Sequence, residues 1–171
     1  MAKPVSLEKL NLVLIGMPGA GKSTVGVLLA KRLGMDFLDT DIWIQTRERK
    51  SLQQIIAAAG MDGFCALEEK HLLTLAVQGH VVATGGSAIY GPKAMTHLKA
   101  SGKVFYLDTG AQTLQLRLGD LDRRGVIRMP GQDLAGLFAE RHPLYRAYAD
   151  QVVACGELTP DQVLEKLVAL L

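Results

Sequence analysis

Leu12-Val-Leu-Ile-Gly-Met-Pro-Gly-Ala-Gly-Lys-Ser23 decides the fold of this chain. Four consecutive apolar residues run straight into a glycine, which is how a strand buried on both faces reads. Beyond the turn, Val25, Leu28, Leu29 and Leu33 fall at helical spacing between Ser23 and Leu33, and Gly34 stops the helix. The stretch is therefore strand, glycine turn, helix. Backbone N–H groups of such a turn point inward, and the helix behind it adds its positive end, so the turn suits phosphate oxygens.

Gly16-x-x-x-x-Gly21-Lys22-Ser23 matches the Walker A pattern without a gap. That pattern sends Lys22 to the β- and γ-phosphates and Ser23 to Mg²⁺. Gly16, Gly19, Ala20, Gly21, Lys22, Ser23 and Thr24 form the candidate nucleotide-binding stretch, with ATP as phosphoryl donor. The pattern specifies a phosphate site and is silent about the reaction.

Outward from this stretch, strands and helices alternate. Phe37-Leu38 leads into Asp39-Thr40-Asp41, a short strand with acids at its carboxyl end. Ser51 caps a helix through Ala59 that Gly60 stops, and Phe64–Val77 reads as a second helix ended by Gly79. Val81–Thr84 is a buried strand running into Gly85-Gly86, Pro92–Ala100 a helix, and Val104–Leu107 another strand. Thr113–Leu118 starts a helix, and residues 119–133 read as a loop. Leu134–Asp150 is helical with a break or bend expected at Pro143. Gln151–Ala154 is a last strand, and Thr159-Pro160 opens a final helix with cap and first-turn proline in their preferred places. Strands alternating with helices imply an α/β fold with a parallel sheet covered on both faces. Ligands of such sheets bind at the carboxyl ends of the strands, where the glycine turn, Asp39/Asp41 and Gly85/Gly86 all fall.

The 171 residues suit one domain spanning 1–171. The balance of 19 Lys and Arg against 17 Asp and Glu gives +2, which excludes a strong global pull on nucleic acid or anionic membrane. Two cysteines, Cys65 and Cys155, are too few for a disulfide framework and too far apart for a CxxC metal motif. No apolar run reaches the ~18 residues of a membrane span. A cytoplasmic monomer with no nucleic-acid or membrane partner is the expectation. The four histidines show no ligand spacing.

Of the acids at the strand end, one carboxylate can join a Mg²⁺ shell and another can take the proton of an attacking hydroxyl. An Asp pair after a strand also reads as a helix cap. Gly85-Gly86 lets an acceptor molecule approach the backbone, or is a plain turn. Arg117, Arg123, Arg124 and Arg128 flank the loop, and Arg141 and Arg146 follow on the next helix. Cations over a transferring phosphoryl group stabilise charge spread over its three oxygens, and a closing loop excludes water.

With these motifs in this order, the chain resembles the shikimate kinase family across nearly its whole length. The resemblance rests on Gly16–Ser23, Phe37-Leu-Asp-Thr-Asp41, the Gly60…Phe64…Glu68 stretch, Ala83-Thr-Gly-Gly86, Tyr106-Leu-Asp108 and Arg141-His-Pro-Leu-Tyr145. It implies a three-layer P-loop NTPase fold with a five-stranded parallel sheet, an acceptor-binding helical segment at about 42–70 and a lid at about 119–133. By the resemblance, Ser23 and Asp39 serve Mg²⁺, and Asp41 binds the acceptor hydroxyl as its base. Arg124 is the lid arginine, catalytic together with Lys22 and Asp41. Arg117 lies near adenine, and Arg141 binds an acceptor carboxylate.

The chain departs from the family on the acceptor side. The family's arginine after Phe64 is Cys65, its third glycine after the strand is Ser87, and its lid Arg-Pro-Leu-Leu is Arg124-Gly-Val-Ile. Losing an arginine that makes a charged hydrogen bond costs ~1.5–3 kcal/mol of binding. The expected acceptor site is Asp41, Cys65, Gly85, Gly86, Ser87 and Arg141. The expected activity is ATP-dependent phosphorylation of a small hydroxylated carboxylate. The missing charge at position 65 favours homoserine, whose ammonium Asp41 and Glu68 would hold. The alternatives are a working shikimate kinase and a nucleotide-binding regulator without kinase activity.

Overall fold

The fold is that of a computed structural model, which describes residues 10–119 and 126–171. Five strands form one parallel sheet: β1 (Asn11–Ile15), β2 (Asp36–Asp39), β3 (His80–Ala83), β4 (Gly102–Asp108) and β5 (Gln151–Ala154), in the order β2-β3-β1-β4-β5. β1 lies at the centre, with Leu12 opposite Val81 on one side and Lys103 on the other. Its side chains alternate between two cores, as the pleat requires. Leu12 and Leu14 pack with α1 (Lys22–Leu33) and α7 (Pro160–Ala169). Val13 and Ile15 pack with α3 (Leu52–Leu73), α4 (Pro92–Ser101), α5 (Ala111–Leu118) and α6 (Leu134–Tyr148). The sheet is thus sandwiched in three layers, as its apolar strands demand. The phosphate turn follows the central strand, where the strand order switches direction.

Several helix boundaries differ from the sequence reading. Residues Thr40–Glu48 form a helix, α2, directly after β2, where the residue pattern gave no helix and the resemblance implied a helical segment from about 42. Asp39 caps it, accepting from the backbone N–H groups of Asp41 and Ile42. The helices expected on either side of Gly60 run as one element, α3, kinked where Gly60 takes φ 71 and ψ −177. α3 ends at Leu73 rather than Val77; Leu75 and Val77 kept the apolar pattern going because they pack into the sheet's core. Pro143 lies inside α6 without ending it. The caps at Ser51 and Thr159 form as expected, each as a full capping box.

A third, smaller core joins α2 and α3 to the chain entering α6. Ile44 of α2, Ile55 and Phe64 of α3, and Ile127 are buried together. Burying a phenylalanine contributes about 1.5–3 kcal/mol, so this contact anchors the stretch entering α6 against α2 and α3. Among the described residues, no helix is long and apolar enough to cross a membrane.

Candidate active site

One cavity of about 420 Å³ opens at the carboxyl ends of β1, β2 and β3. The phosphate turn, Asp41, Gly85, Gly86, Ser87 and Arg141 all line it, and Gly86 packs against Pro18 of the turn. The glycine turn and the residues expected to meet an acceptor therefore line one cavity.

At the phosphate end, Gly21 caps α1 with φ 90, a left-handed conformation that only glycine adopts without strain. Lys22 is buried and donates to the carbonyls of Gly16 and Met17, both at 2.8 Å. Two of its three donors are thereby fixed, and one is left for a phosphate oxygen. Burial holds its pKa down to about 8, with Asp41 the largest opposing influence. Ser23 and Thr24 are exposed at the mouth, and Ala20 is buried under the turn. Arg117 is exposed and donates from Nη1 to the Gly19 carbonyl at 3.4 Å, beside the phosphate turn. Arg124 falls outside the described residues.

Ser23 Oγ donates to Asp39 Oδ2 at 2.6 Å. The other oxygen, Oδ1, accepts from Asp41 N at 2.9 Å and Ile42 N at 3.3 Å. The helix-cap reading of this acid holds with one oxygen, and the other oxygen is bonded to Ser23 of the phosphate turn. The hydroxyl and the free carboxylate oxygen are hard oxygen donors, the type Mg²⁺ takes alongside phosphate and water. No cluster of three or more His, Cys, Asp or Glu occurs among the described residues.

Asp41, on the first turn of α2, points toward Gly85. Burial, and secondarily Asp39, raise its pKa to about 6. Glu68 of α3 faces the same spot: a Cβ on Gly85 would lie 2.6 Å from both Asp41 Oδ1 and Glu68 Oε1. Thr40 Oγ1 fixes that turn by accepting from Gly85 N at 3.0 Å. Glu68 is 1% exposed; its Oε2 accepts from Ser87 Oγ at 2.5 Å, while Oε1 has no hydrogen-bond partner. Burial pushes its pKa up to about 7, with the Ser87 bond opposing.

Arg141 of α6 is 1% exposed. Its Nε donates to Tyr90 Oη at 3.0 Å and its Nη2 to the Ile127 carbonyl. Nη1 lies over Gly86, 3.1 Å from where a Cβ would stand. Tyr145 Oη donates to the Gly86 carbonyl at 2.6 Å and holds the turn in place. The ion pairs of the described residues do not include Arg141.

The structure thus gathers Lys22, Ser23, Asp39, Asp41, Gly85, Gly86, Ser87 and Arg141 around one cavity. Cys65 is half-buried and is not among the lining residues; its neighbour Phe64 is. Burial, and then Glu68, push the Cys65 thiol up to about 11. Thr40 and Tyr90 shape the site without having been singled out, and Tyr90 carries no local signal. Glu68 was expected to hold an ammonium, and Tyr145 entered only as the end of the Arg141–Tyr145 motif.

A Walker A turn on the central strand of a parallel sheet, opening into a cavity that Arg141 also lines, defines a P-loop nucleotide-binding fold. A family model described as shikimate kinase matches residues 18–171. A shikimate kinase of Tolumonas auensis is 41% identical over 168 residues, covering 96% of this chain and 98% of that protein. One of Thermobifida fusca is 40% identical, covering 90% of each. The solved shikimate kinase of Acinetobacter baumannii, in complex with shikimate, superposes with a TM-score of 0.88 at 33% identity, covering 96% of this chain and 94% of that one. This chain belongs to the shikimate kinase family.

That finding overturns the expectation of a changed acceptor with homoserine as the leading candidate. The relatives that match end to end are shikimate kinases. The physical reason lies in what remains on the acceptor side despite the Cys65 departure. Arg141 keeps its buried place over Gly86. Ser87 and Glu68, assigned to an amino acid's polar groups, are bonded to each other.

Proposed function

We propose that this chain phosphorylates a hydroxyl of shikimate with ATP and Mg²⁺. The observation that carries the reading is Arg141, a buried guanidinium with no acidic partner among the described residues, facing the same cavity as the phosphate turn. A buried charge of this kind is costly until a counter-ion meets it. The carboxylate of shikimate supplies that counter-ion and leaves the ring hydroxyls to face Asp41.

The phosphate turn and Lys22 hold the β- and γ-phosphates. Ser23 and Asp39 Oδ2 hold Mg²⁺, which when bound neutralises charge on the phosphate oxygens. Asp41 takes the proton of the attacking hydroxyl, whose oxygen bonds the γ-phosphorus as ADP leaves. A carboxylate with a pKa of about 6 is largely ionised at neutral pH and is still basic enough to accept that proton. Arg117 supports the nucleotide beside Gly19, and Gly85 and Gly86 admit the acceptor ring close to the backbone. Arg124 adds positive charge to the phosphates from the lid, and the enzyme works as a monomer.

The test is ADP release by purified protein with ATP and Mg²⁺. Shikimate-dependent release is expected. No such release, or faster turnover of homoserine in a parallel reaction, overturns the reading.

A further inference from the structure

Arg141 is held by Ile127, in the described part of the stretch before α6, and by a residue outside any expected site. Tyr90 ends the short 3-10 turn Ala88–Tyr90, beyond Gly85-Gly86-Ser87. Its hydroxyl accepts from Arg141 Nε at 3.0 Å and donates to Glu140 Oε1. Glu140 Oε2 accepts from Gln132 Nε2 at 2.8 Å. Gln132 in turn closes the loop before α6: its N–H donates to the Met129 carbonyl at 3.0 Å, and its Oε1 accepts from Met129 N at 3.1 Å. The circuit returns to the same segment, because Ile127 O accepts from Arg141 Nη2.

We propose that Tyr90 is a positioning residue for acceptor binding, aiming Arg141 at the cavity and tying that aim, through Glu140 and Gln132, to the segment 127–132. The inference rests on Arg141 meeting the acceptor carboxylate. A phenol has one proton. Here it goes to Glu140, so the oxygen presents only lone pairs to the guanidinium. The hydrogen bonds from Tyr90 and Gln132 hold Glu140 below its usual pKa, so it stays ionised and keeps the phenol oxygen a strong acceptor. Nε is fixed by Tyr90 and Nη2 by Ile127, Tyr145 also hydrogen-bonds the guanidinium, and this set of contacts places Nη1 over Gly86. The Tyr90 ring also faces the guanidinium carbon, 5.1 Å from its centroid. Phenylalanine would keep that ring and remove only the hydroxyl.

Other features carry less. Tyr106, Asp108, His142 and Arg146 form a partnered cluster beside the sheet with no unpaired group to receive a ligand. In the cavity lined by Gln115, Arg128, Gln132 and Asp133, Arg128 Nη1 donates to the Gln132 carbonyl and Asp133 Oδ1 accepts from Gly136 N, and nothing there indicates an occupant.

The test compares Tyr90→Phe and Glu140→Gln with the wild type. Tyr90→Phe should raise the KM for shikimate about 10-fold, as loss of a hydrogen bond to a charged group does. kcat and the KM for ATP should change less than about twofold, the signature of lost uniform binding. Glu140→Gln, which keeps the hydrogen-bonding oxygen and removes its charge, should give a smaller rise. An unchanged shikimate KM in Tyr90→Phe, or equal rises in both KM values, overturns the inference. A crystal structure of Tyr90→Phe decides independently of the acceptor: Arg141 turned from Gly86 supports it, and an unmoved guanidinium overturns it. If the wild type fails to turn over shikimate, the acceptor reading falls, and the crystal structure alone judges the positioning.

Discussion

Ser23 Oγ and Asp39 Oδ2 meet at 2.6 Å, while Asp39 Oδ1 caps α2. One carboxylate thus serves a helix and a phosphate site with different atoms. Asp39→Asn keeps an oxygen for the cap, and asparagine caps as well as aspartate. Its melting temperature should stay near that of the wild type, while kcat falls roughly 10²–10³-fold through loss of charge at the metal position. Asp39→Ala should add a stability loss of about 1 kcal/mol by chemical denaturation. Equal activity in Asp39→Asn and wild type would remove Asp39 from the metal site.

Gly85 leaves the gap that Asp41 and Glu68 share. A methyl group there would lie 2.6 Å from an oxygen of each, closer than any real contact. Gly85→Ala should push the two carboxyls apart, lower stability by about 1–3 kcal/mol and abolish turnover before it abolishes folding. Circular dichroism and ADP release on one sample separate the two effects. A fully active Gly85→Ala enzyme would mean the acceptor does not use this turn.

The phosphate turn was legible because its chemistry is local: a strand, spaced glycines, a lysine and a serine within twelve residues. The sheet was legible for the same reason, since strands buried on both faces read as apolar runs. α2 was not. Its one fully buried apolar residue is Ile44, and Ile42 is 61% exposed, so it has no apolar stripe. It stands on the Asp39 cap and on packing against α3. The acceptor end was legible only in part, because its contacts join distant residues: Ser87 with Glu68 across 19 positions, Gly85 with Thr40 across 45, and Arg141 with Tyr90 across 51. No periodicity connects such pairs.

Glu68 makes stability depend on pH. Its carboxyl would ionise near 4.5 when unfolded, but burial holds the folded pKa at about 7. Between these values the folded state binds the extra proton, so this group's contribution to stability falls as pH rises from about 4.5 to 7 and is level above. Glu68→Gln removes the titration. Its stability relative to wild type should climb across that window, by up to about 3 kcal/mol. Denaturant unfolding at pH 5, 6, 7 and 8 reads the difference directly. A difference that is flat with pH would mean that Glu68 is ionised throughout.

Cys65 lies one helical turn before Glu68, close enough for a longer side chain to reach it. An arginine there would pair with the buried carboxylate, bring Glu68 back toward the ordinary range and set a second cation near Arg141. Cys65→Arg should therefore lower the shikimate KM about 10-fold with little change in kcat, the gain expected from one charge-assisted hydrogen bond. It should also flatten the pH dependence of stability between about pH 4.5 and 7, because an ionised Glu68 no longer takes up a proton on folding. The two readouts test different links. A flattened stability profile with an unchanged KM would place the new cation on Glu68 but away from the acceptor. An unchanged profile would mean that position 65 does not reach Glu68 at all.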